Sequence, residues 1–379
     1  MAFLPIAQIN TPAGFIDLGR GDPQLQLLPL GLLRNAAHNS LSQPEHAILQ
    51  YGAVQGNGYF RAALASFLSA QYGFPVSHES LFITSGISAA LDLTCLLFTQ
   101  PGDVVFVEEP SYFFALRIFA DHGLRVVPLR TDEAGLDIAD LKRALGESQP
   151  KFLYTIPAFQ NPSGHTLSQE RRQQLLALAE QHDFLILADE AYQFLGYTQS
   201  PPPSFAAHIA SGRVISLGSF SKIFAPGLRL GWLQAHPGII QRFTTSGLLD
   251  SGGGMNPFAS AVMRDVIERG GLNENISKLL GIYSQRIKAM DMSLRRHLPE
   301  AEFITPHGGF FFWVRIPGVD TTELRPRAQA LQADLRPGPL FSSRNGFREY
   351  FRISVSFYNE DEIDQGLMRL KEALTTLTV

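Results

Sequence analysis

Short apolar runs alternate with longer amphipathic stretches between about residues 60 and 250. The runs are rich in Val, Ile, Leu and Phe, as buried strands are. Between them, apolar residues recur at helical spacing, for example from Phe60 to Leu68 ahead of Gly73 and from Ser168 to Ala179. The alternation predicts an α/β fold with a mostly parallel central sheet and helices on both faces. The predicted strands are Leu81 to Thr84, Val104 to Val107, Arg125 to Pro128, Phe152 to Ile156, Phe184 to Ala188 and Val214 to Leu217.

The C-terminal third has a different pattern. A long amphipathic stretch from Asn275 to His297 is followed by the apolar run GGFFFWVRI, a Pro- and Gly-rich stretch from Arg336 to Pro339, the run FRISVSF and a helical pattern from Glu360 onward. We expect a smaller α+β domain here, completed by the N-terminal segment. The predicted division is a large domain at 46–255 and a small domain formed by 1–45 and 256–379.

Composition narrows the class of protein. Of the 379 residues, 45% are hydrophobic and 17% are charged, which predicts a globular chain with a large core. A formal net charge of −4 without a basic block argues against nucleic-acid binding. No apolar stretch reaches the roughly 20 residues that span a bilayer, and no signal-peptide pattern is present. The single Cys95 cannot form an internal disulfide, and the ten histidines show no metal-binding spacing. We therefore expect a cytoplasmic protein without membrane, nucleic-acid or metal partners.

Polar residues follow the predicted strands at their carboxyl ends. They are Ser85 to Ser88, Glu108 to Tyr112, the loop containing Asn161, Asp189 to Tyr192, and Ser219 to Lys222. In open α/β sheets, ligands bind outside the carboxyl ends of the strands. These five loops are therefore predicted to surround one site.

The run SLGSFSKIFAPGLRLGW, from Ser216 to Trp232, carries the most specific chemistry. Lys222 offers an amine for a Schiff base, while Ser219, Ser221 and Arg229 offer hydroxyls and a cation for a phosphate. A cofactor with an aldehyde and a phosphate, such as pyridoxal phosphate, needs both. In isolation, a lysine near serines is also typical of a solvated protein surface.

Two further loops suit the same cofactor. Gly86, Ile87 and Ser88 open a predicted helix, whose free backbone N–H groups and dipole favour a phosphate. Asp189 lies at the end of a buried strand, where a carboxylate needs a partner, and a protonated pyridine nitrogen is one. The alternatives are an ordinary helix cap for the first loop and a capping carboxylate for the second.

In order and spacing, the glycine turn, Tyr112, NPSG, DEAY, SFSK and Arg229 resemble the class I and II aminotransferases, which are pyridoxal-phosphate enzymes of fold type I. The sequence is most similar to the 2-aminoadipate and kynurenine aminotransferase branch, which has a near relative of IDLGRGDPQLQLLP at Ile16 to Pro29. The resemblance implies a catalytic Lys222 that holds the cofactor, Asp189 at the ring nitrogen, Tyr112 stacked on the ring, and Asn161 and Tyr192 at the phenolate oxygen.

The resemblance also implies a substrate site and a partner. Arg352 in FRISVSF would bind the substrate α-carboxylate, and Asn161 would contact the substrate as well as the cofactor. Tyr51 would reach the cofactor phosphate of a second subunit, which requires a homodimer with shared active sites, and the Ser251 to Pro257 loop would cross that interface. Arg20 would either recognise an acidic substrate side chain or form an ordinary ion pair.

The function implied is ping-pong transamination between an L-amino acid and a 2-oxo acid. The same scaffold supports C–S lyases and decarboxylases, because the cofactor stabilises any carbanion formed at Cα. It also occurs as a non-catalytic, pyridoxal-phosphate-binding sensor module in bacterial regulators. Those regulators carry an N-terminal DNA-binding domain, and the family pattern here begins near residue 16, which leaves no room for one.

Overall fold

The computed structural model describes residues 11–44 and 46–377. The predicted small-domain residues 1–10, 45 and 378–379 lie outside them. The strands are β1 (Ile16–Asp17), β2 (Leu81–Thr84), β3 (Val104–Glu109), β4 (Arg125–Asp132), β5 (Gly135–Leu136), β6 (Phe152–Thr155), β7 (Leu185–Asp189), β8 (Val214–Ser219), β9 (Gly231–Ala235), β10 (Phe311–Arg315), β11 (Ala333–Asp334), β12 (Arg336–Pro337) and β13 (Tyr350–Ser354). The α-helices are α1 (Leu30–Ser42), α2 (Gly58–Tyr72), α3 (Ile87–Phe98), α4 (Phe113–Asp121), α5 (Ile138–Glu147), α6 (Gln169–Gln181), α7 (Pro237–Thr244), α8 (Gly247–Gly252), α9 (Pro257–Glu268), α10 (Gly271–His297), α11 (Thr321–Ala330) and α12 (Glu360–Thr375).

The central sheet has eight strands in the order β2-β9-β8-β7-β6-β3-β4-β5. Its middle strands β4, β3, β6, β7 and β8 are parallel, so their carboxyl ends open on one edge. Strands β2 and β9 at one side and β5 at the other are antiparallel to their neighbours. The prediction of a mostly parallel sheet is therefore confirmed.

Alternate side chains of each central strand enter different cores, as the twofold repeat of a strand requires. Val105 and Val107 pack in a core with α2, α3, α4 and α9, whereas Phe106 between them packs in a core with α5 and α6. Both faces of the sheet are thus covered by helices, which explains why its central strands β6, β7 and β8 are almost wholly buried and largely apolar.

A second unit of structure is built around strands β10, β13 and β12, which form an antiparallel sheet in that order. Its core contains residues of α10, α11 and α12 and also Ile16 and Leu18 from the N-terminal segment. Helix α10 joins the two units, because its residues up to Tyr283 pack in the first core and those from Ile287 onward pack in the second. The predicted domain bounds remain a prediction.

All six predicted strands are present, and Leu81–Thr84 has the predicted bounds. Strand β9 was not predicted, because its residues GWLQA continue the lysine motif without a separate apolar run. Its Trp232 explains Gly218 on the neighbouring β8: a Cβ added there would lie 2.1 Å from the indole ring. Within the described ranges, no helix is both long and apolar enough to cross a membrane.

Candidate active site

Lys222 lies in the turn after β8, at the open edge of the sheet. Its Nζ donates a hydrogen bond to the carbonyl oxygen of Gly21 at 2.8 Å and lies 5.8 Å from the ring centroid of Phe310. The pKa of the amine is lowered, chiefly by burial, with Arg352 and Arg229 adding to the effect and Asp22 and Asp189 opposing it. This lysine is therefore held closer to its neutral, nucleophilic form than a surface lysine.

Asp189 is the last residue of β7 and is only 4% exposed. Its Oδ2 accepts a hydrogen bond from the Tyr154 hydroxyl at 2.8 Å, and its Oδ1 accepts one from the Ala191 N–H at 3.2 Å. Burial, the largest cause, raises its pKa to about 6. No residue within 11–44 and 46–377 forms an ion pair with this carboxylate, so it is a buried acid without a cationic partner.

The predicted phosphate site is formed by the start of α3 and by Arg229. Gly86 has φ +90° and precedes α3, so that Ile87 and Ser88 begin the helix. A Cβ at Gly86 would lie 3.0 Å from the Nη2 atom of Arg229, and this Nη2 donates to the Ser85 carbonyl oxygen at 3.1 Å. A guanidinium beside free helical N–H groups is a site for an anion.

Ser219 and Ser221 precede Lys222 in the lysine motif and lie close to each other. The Oγ of Ser219 accepts a hydrogen bond from the Ser221 N–H at 3.0 Å. Ser219 is buried at the end of β8, whereas Ser221 is half-buried. Their hydroxyls are thus available in the turn that carries Lys222.

Arg352 on β13 is buried, and its contacts come from both structural units. Its Nη1 donates to Asn161 Oδ1 at 2.8 Å, and its Nη2 donates to the Gly19 carbonyl oxygen at 2.7 Å. The guanidinium carbon lies 4.1 Å from the ring centroid of Phe311 and 4.9 Å from that of Phe341. Burial lowers its pKa to about 10, which still leaves it charged at neutral pH. The structure thus brings Arg352 and Asn161 together, as predicted for neighbouring groups in one site.

Tyr112 and Tyr192 are the aromatic residues of the site that the sequence singled out. Tyr112 is half-buried at the start of α4, and Tyr192 is buried with its ring edge-on to Phe310 and Phe311 at centroid distances of 5.6 and 5.9 Å. Burial is the main cause that raises the pKa of Tyr112 to about 12 and that of Tyr192 well above its ordinary value. Both hydroxyls therefore keep their protons and can donate hydrogen bonds.

Tyr51 and Arg20 are two further residues that the sequence predicted. Tyr51 is 79% exposed, and its neighbour Gly52 forms a β-bridge with Gly254 in the Ser251 to Pro257 loop. Arg20 is 8% exposed; it donates to Thr11 at 2.6 Å, forms an ion pair with Asp22 at 3.1 Å, and its guanidinium carbon lies 4.5 Å from the Phe357 ring centroid. Arg20 thus forms an ion pair, and its predicted contact with an acidic substrate side chain stays a prediction.

The structure also contributes site residues that the sequence analysis did not identify. Tyr154 holds the Asp189 carboxylate, Phe311 lies against Arg352, and the Gly19 to Asp22 segment covers Arg352 and Lys222. Tyr154 was recognisable as a polar side chain within the apolar strand FLYT. Phe311 lies 41 positions from Arg352, and the Gly19 to Asp22 segment lies 200 or more positions from Lys222 and Arg352, so no local pattern marks these contacts.

The arrangement fits pyridoxal phosphate. The site holds a half-buried amine whose hydrogen bond goes to a carbonyl group, a buried carboxylate that forms no ion pair with the described residues, and a guanidinium at a helix N-terminus. The aldehyde, the pyridine nitrogen and the phosphate of the cofactor complement these three groups in turn. Lys222, Asp189 and Arg229 are therefore the residues that would hold it.

Comparison with known proteins places the chain in a family. The model of aminotransferase class I and II matches residues 13–370. The aromatic-amino-acid aminotransferase 1 of Thermococcus litoralis is 34% identical over 95% of this chain and 88% of its own. The 2-aminoadipate transaminase of Thermus thermophilus is 30% identical over 98% and 93%, respectively. The crystal structure of Pyrococcus horikoshii kynurenine aminotransferase, in complex with PMP, has a TM-score of 0.91, 32% identity and coverages of 97% and 92%. The chain therefore belongs to the class I and II aminotransferases, pyridoxal-phosphate enzymes that move amino groups between amino acids and 2-oxo acids.

Proposed function

We propose that the site described above performs this transfer on L-amino acids with Lys222 as the residue that holds the cofactor and moves the proton. Two observations support this most directly: the lowered pKa of the half-buried Lys222 amine, and the buried Asp189 carboxylate, which forms no ion pair within 11–44 and 46–377. When bound, pyridoxal phosphate draws electron density from the substrate Cα and makes its hydrogen acidic. The neutral Lys222 Nζ then takes this proton from Cα and would deliver it to the C4′ carbon of the cofactor within the same half-reaction. The second half-reaction, with the 2-oxo acid, reverses both transfers.

The other predicted residues receive supporting roles in this proposal. Asp189 keeps the ring nitrogen protonated, since a carboxylate stabilises the adjacent cation, and Tyr154 orients Asp189. Tyr112 stacks on the ring, while Asn161 and Tyr192 donate to its phenolate oxygen. The helix start at Gly86, Ile87 and Ser88 binds the phosphate together with Ser219, Ser221 and Arg229.

For the substrate, we propose that Arg352 binds the α-carboxylate through its planar guanidinium. Its present partners, the Asn161 amide oxygen and the Gly19 carbonyl, are neutral acceptors that a carboxylate can displace. Arg20 is proposed to lie beside the substrate side-chain pocket, where Asp22 and Thr11 hold its guanidinium. A direct contact with an acidic side chain would require it to release Asp22 or Thr11.

We further propose a cytoplasmic homodimer in which each subunit completes the other's site. The exposure of Tyr51 supports this, since a large aromatic side chain of a predicted site residue faces solvent in the single chain. The neighbouring elements also expose apolar side chains. These are Leu30, Leu41, Leu49, Tyr59, Leu248 and Phe258.

A half-reaction screen tests the proposed activity. The purified protein with pyridoxal phosphate is mixed with single L-amino acids, without an oxo acid, while the cofactor absorbance is followed and the 2-oxo acid is measured. We expect a stoichiometric change with some amino acids, which K222A abolishes and which K288A, at an exposed lysine, preserves. Release of ammonia or carbon dioxide in place of the 2-oxo acid would indicate a lyase or a decarboxylase instead.

A further inference from the structure

The Gly19 to Asp22 segment contacts both Lys222, which the proposed function assigns to proton transfer, and Arg352, which it assigns to the substrate carboxylate. The Gly19 carbonyl oxygen accepts from Arg352, and the Gly21 carbonyl oxygen accepts from Lys222. Ser356 on the strand side of the site fixes the segment by donating to the Asp22 carbonyl oxygen at 2.8 Å. The side chain that follows Gly21 therefore leaves the backbone at the boundary of the substrate site.

Asp22 is the charged residue of this segment that acts on the site. Its side chain is half exposed, at 51%, whereas that of Arg20 is 8% exposed. The carboxylate partly opposes the lowering of the Lys222 pKa by burial. It also adds to the effect of burial that raises the pKa of Tyr112 and of Tyr192. Three groups on different elements thus have this carboxylate as a charged neighbour.

The Arg20 guanidinium is directed elsewhere. It contacts Thr11 and the Phe357 ring, and its charge opposes the rise in the pKa of Tyr358 that burial causes. Tyr358 belongs to the second core, together with the partly buried Phe357. Within the Gly19 to Asp22 segment, the Arg20 guanidinium forms an ion pair with the Asp22 carboxylate.

Asp22 is a charged neighbour of Lys222 to which the proposed function gives no role. Four charged side chains influence Lys222: Asp22, Arg352, Asp189 and Arg229. In the proposed function, Arg352 binds the substrate carboxylate, Asp189 binds the ring nitrogen and Arg229 binds the phosphate. The proposed function gives the Asp22 carboxylate no role. It also names no partner for the side chain of the amino-acid substrate.

We propose that the Asp22 carboxylate sets the charge preference of the substrate side-chain pocket, favouring cationic side chains, accepting neutral ones and disfavouring acidic ones. Arg20 is then a positioning residue that holds this carboxylate, not a receptor for acidic substrates. This inference rests on the proposed transaminase function and adds the substrate class to it. The same preference applies to the 2-oxo acid of the second half-reaction, because both substrates occupy one pocket in a ping-pong cycle.

The test compares kcat/KM for glutamate, leucine and arginine in the wild type and in D22N, an isosteric change that removes one charge. We expect the glutamate-to-leucine ratio to rise by about tenfold and the arginine-to-leucine ratio to fall by about tenfold, as one charge at several ångströms in a partly solvated site produces. Because the readout is a ratio, effects of the substitution on folding or cofactor loading cancel. Unchanged ratios would overturn the inference.

A double-mutant cycle separates the two roles of Arg20. If it acts only through Asp22, R20Q alters the glutamate-to-leucine ratio in the wild-type background but has no effect when D22N is already present. If Arg20 receives acidic side chains itself, R20Q lowers that ratio in both backgrounds, which would overturn its assignment as a positioning residue. Absence of any stoichiometric 2-oxo acid in the wild type would instead refute the proposed transamination, so the two failures are distinguishable.

Discussion

Glu108 is a buried acid that supports the loop of Asn161. Its Oε1 accepts from the Thr155 hydroxyl at 2.7 Å, and its Oε2 accepts from the Ile156 N–H at 3.1 Å and the Gln160 side-chain amide at 3.3 Å. Gln160 in turn accepts from the Ser163 N–H at 2.8 Å. Burial outweighs these hydrogen bonds and raises the pKa of Glu108 to about 7 from 4.5.

The raised pKa predicts a pH-dependent stability. The folded protein keeps the Glu108 proton up to a pH of about 7, while the unfolded chain loses it above 4.5, so the contribution to stability is present below 4.5 and is lost as the pH rises through 7. In E108Q, which carries no titrating proton, this loss is absent. We expect the free energy of unfolding of the wild type to fall relative to E108Q by about 3 kcal/mol between pH 4.5 and 8.

Urea unfolding of the cofactor-loaded proteins across this pH range provides the measurement. E300Q, at an exposed glutamate, is the control and should follow the wild-type curve. Parallel pH curves for the wild type and E108Q would contradict the prediction.

At the level of single residues, sequence patterns singled out side chains that stand in short motifs and missed those that only a contact between distant segments marks. Lys222 and Arg229 stand in one short motif, and Asn161 lies in NPSG. Asp22 acquires its importance from Lys222, 200 positions further along the chain, through the neighbouring Gly21 carbonyl. Tyr154 becomes a partner of Asp189 only because β6 and β7 are adjacent in the sheet.

At the scale of elements, the end of β3 is tied to the turn that follows β12. The Glu109 carboxylate accepts hydrogen bonds from the Ser342 hydroxyl and from the N–H and hydroxyl of Ser343, at 3.2 and 3.1 Å. The Ser111 N–H donates to the Phe341 carbonyl oxygen at 2.9 Å. Since the Phe341 ring lies against Arg352, this connection holds one side of the proposed carboxylate site.

We expect E109Q to loosen this connection, because one carboxylate oxygen that accepts from Ser343 becomes an amide that cannot accept. The substitution should raise KM for the amino acid several-fold, with a smaller effect on kcat, and increase hydrogen exchange in the segment 338–347. E300Q serves again as the exposed control. Unchanged exchange and KM would show that the connection has no role in forming the site.

The sequence predicted elements well where their pattern was strongly periodic. Helices α2 and α6 and all the strands from β2 to β8 except the two-residue β5 followed from apolar spacing. The antiparallel β9 was missed, because it has no turn or apolar signal apart from the lysine motif. The position at which α10 passes from one core to the other was also not predictable, since its apolar face continues without interruption.

At the scale of the whole molecule, the exposed surface around Tyr51 is the main feature that the single chain leaves unexplained. Helices α1 and α2 and the turn His46–Leu49 all pack against α9 and carry the exposed apolar side chains described above. Gly52 is bridged to Gly254, which joins the Tyr51 segment to the predicted interface loop. A second copy of the chain on this surface would bury these side chains and bring Tyr51 to the site of the partner subunit.

Shared sites predict that two inactive variants restore each other. K222A removes the proton-transferring amine, and Y51A removes the side chain that the partner's phosphate site requires, so each homodimer should be nearly inactive. In a mixed dimer, one site combines Lys222 of one subunit with Tyr51 of the other and is intact, whereas the second site lacks both. Equal mixing with free exchange makes half of the dimers mixed, so we expect about a quarter of wild-type activity, measured after refolding the variants together. If each subunit used its own Tyr51, the activity of the mixture would not exceed the summed activities of the two variants, and this result would contradict shared sites.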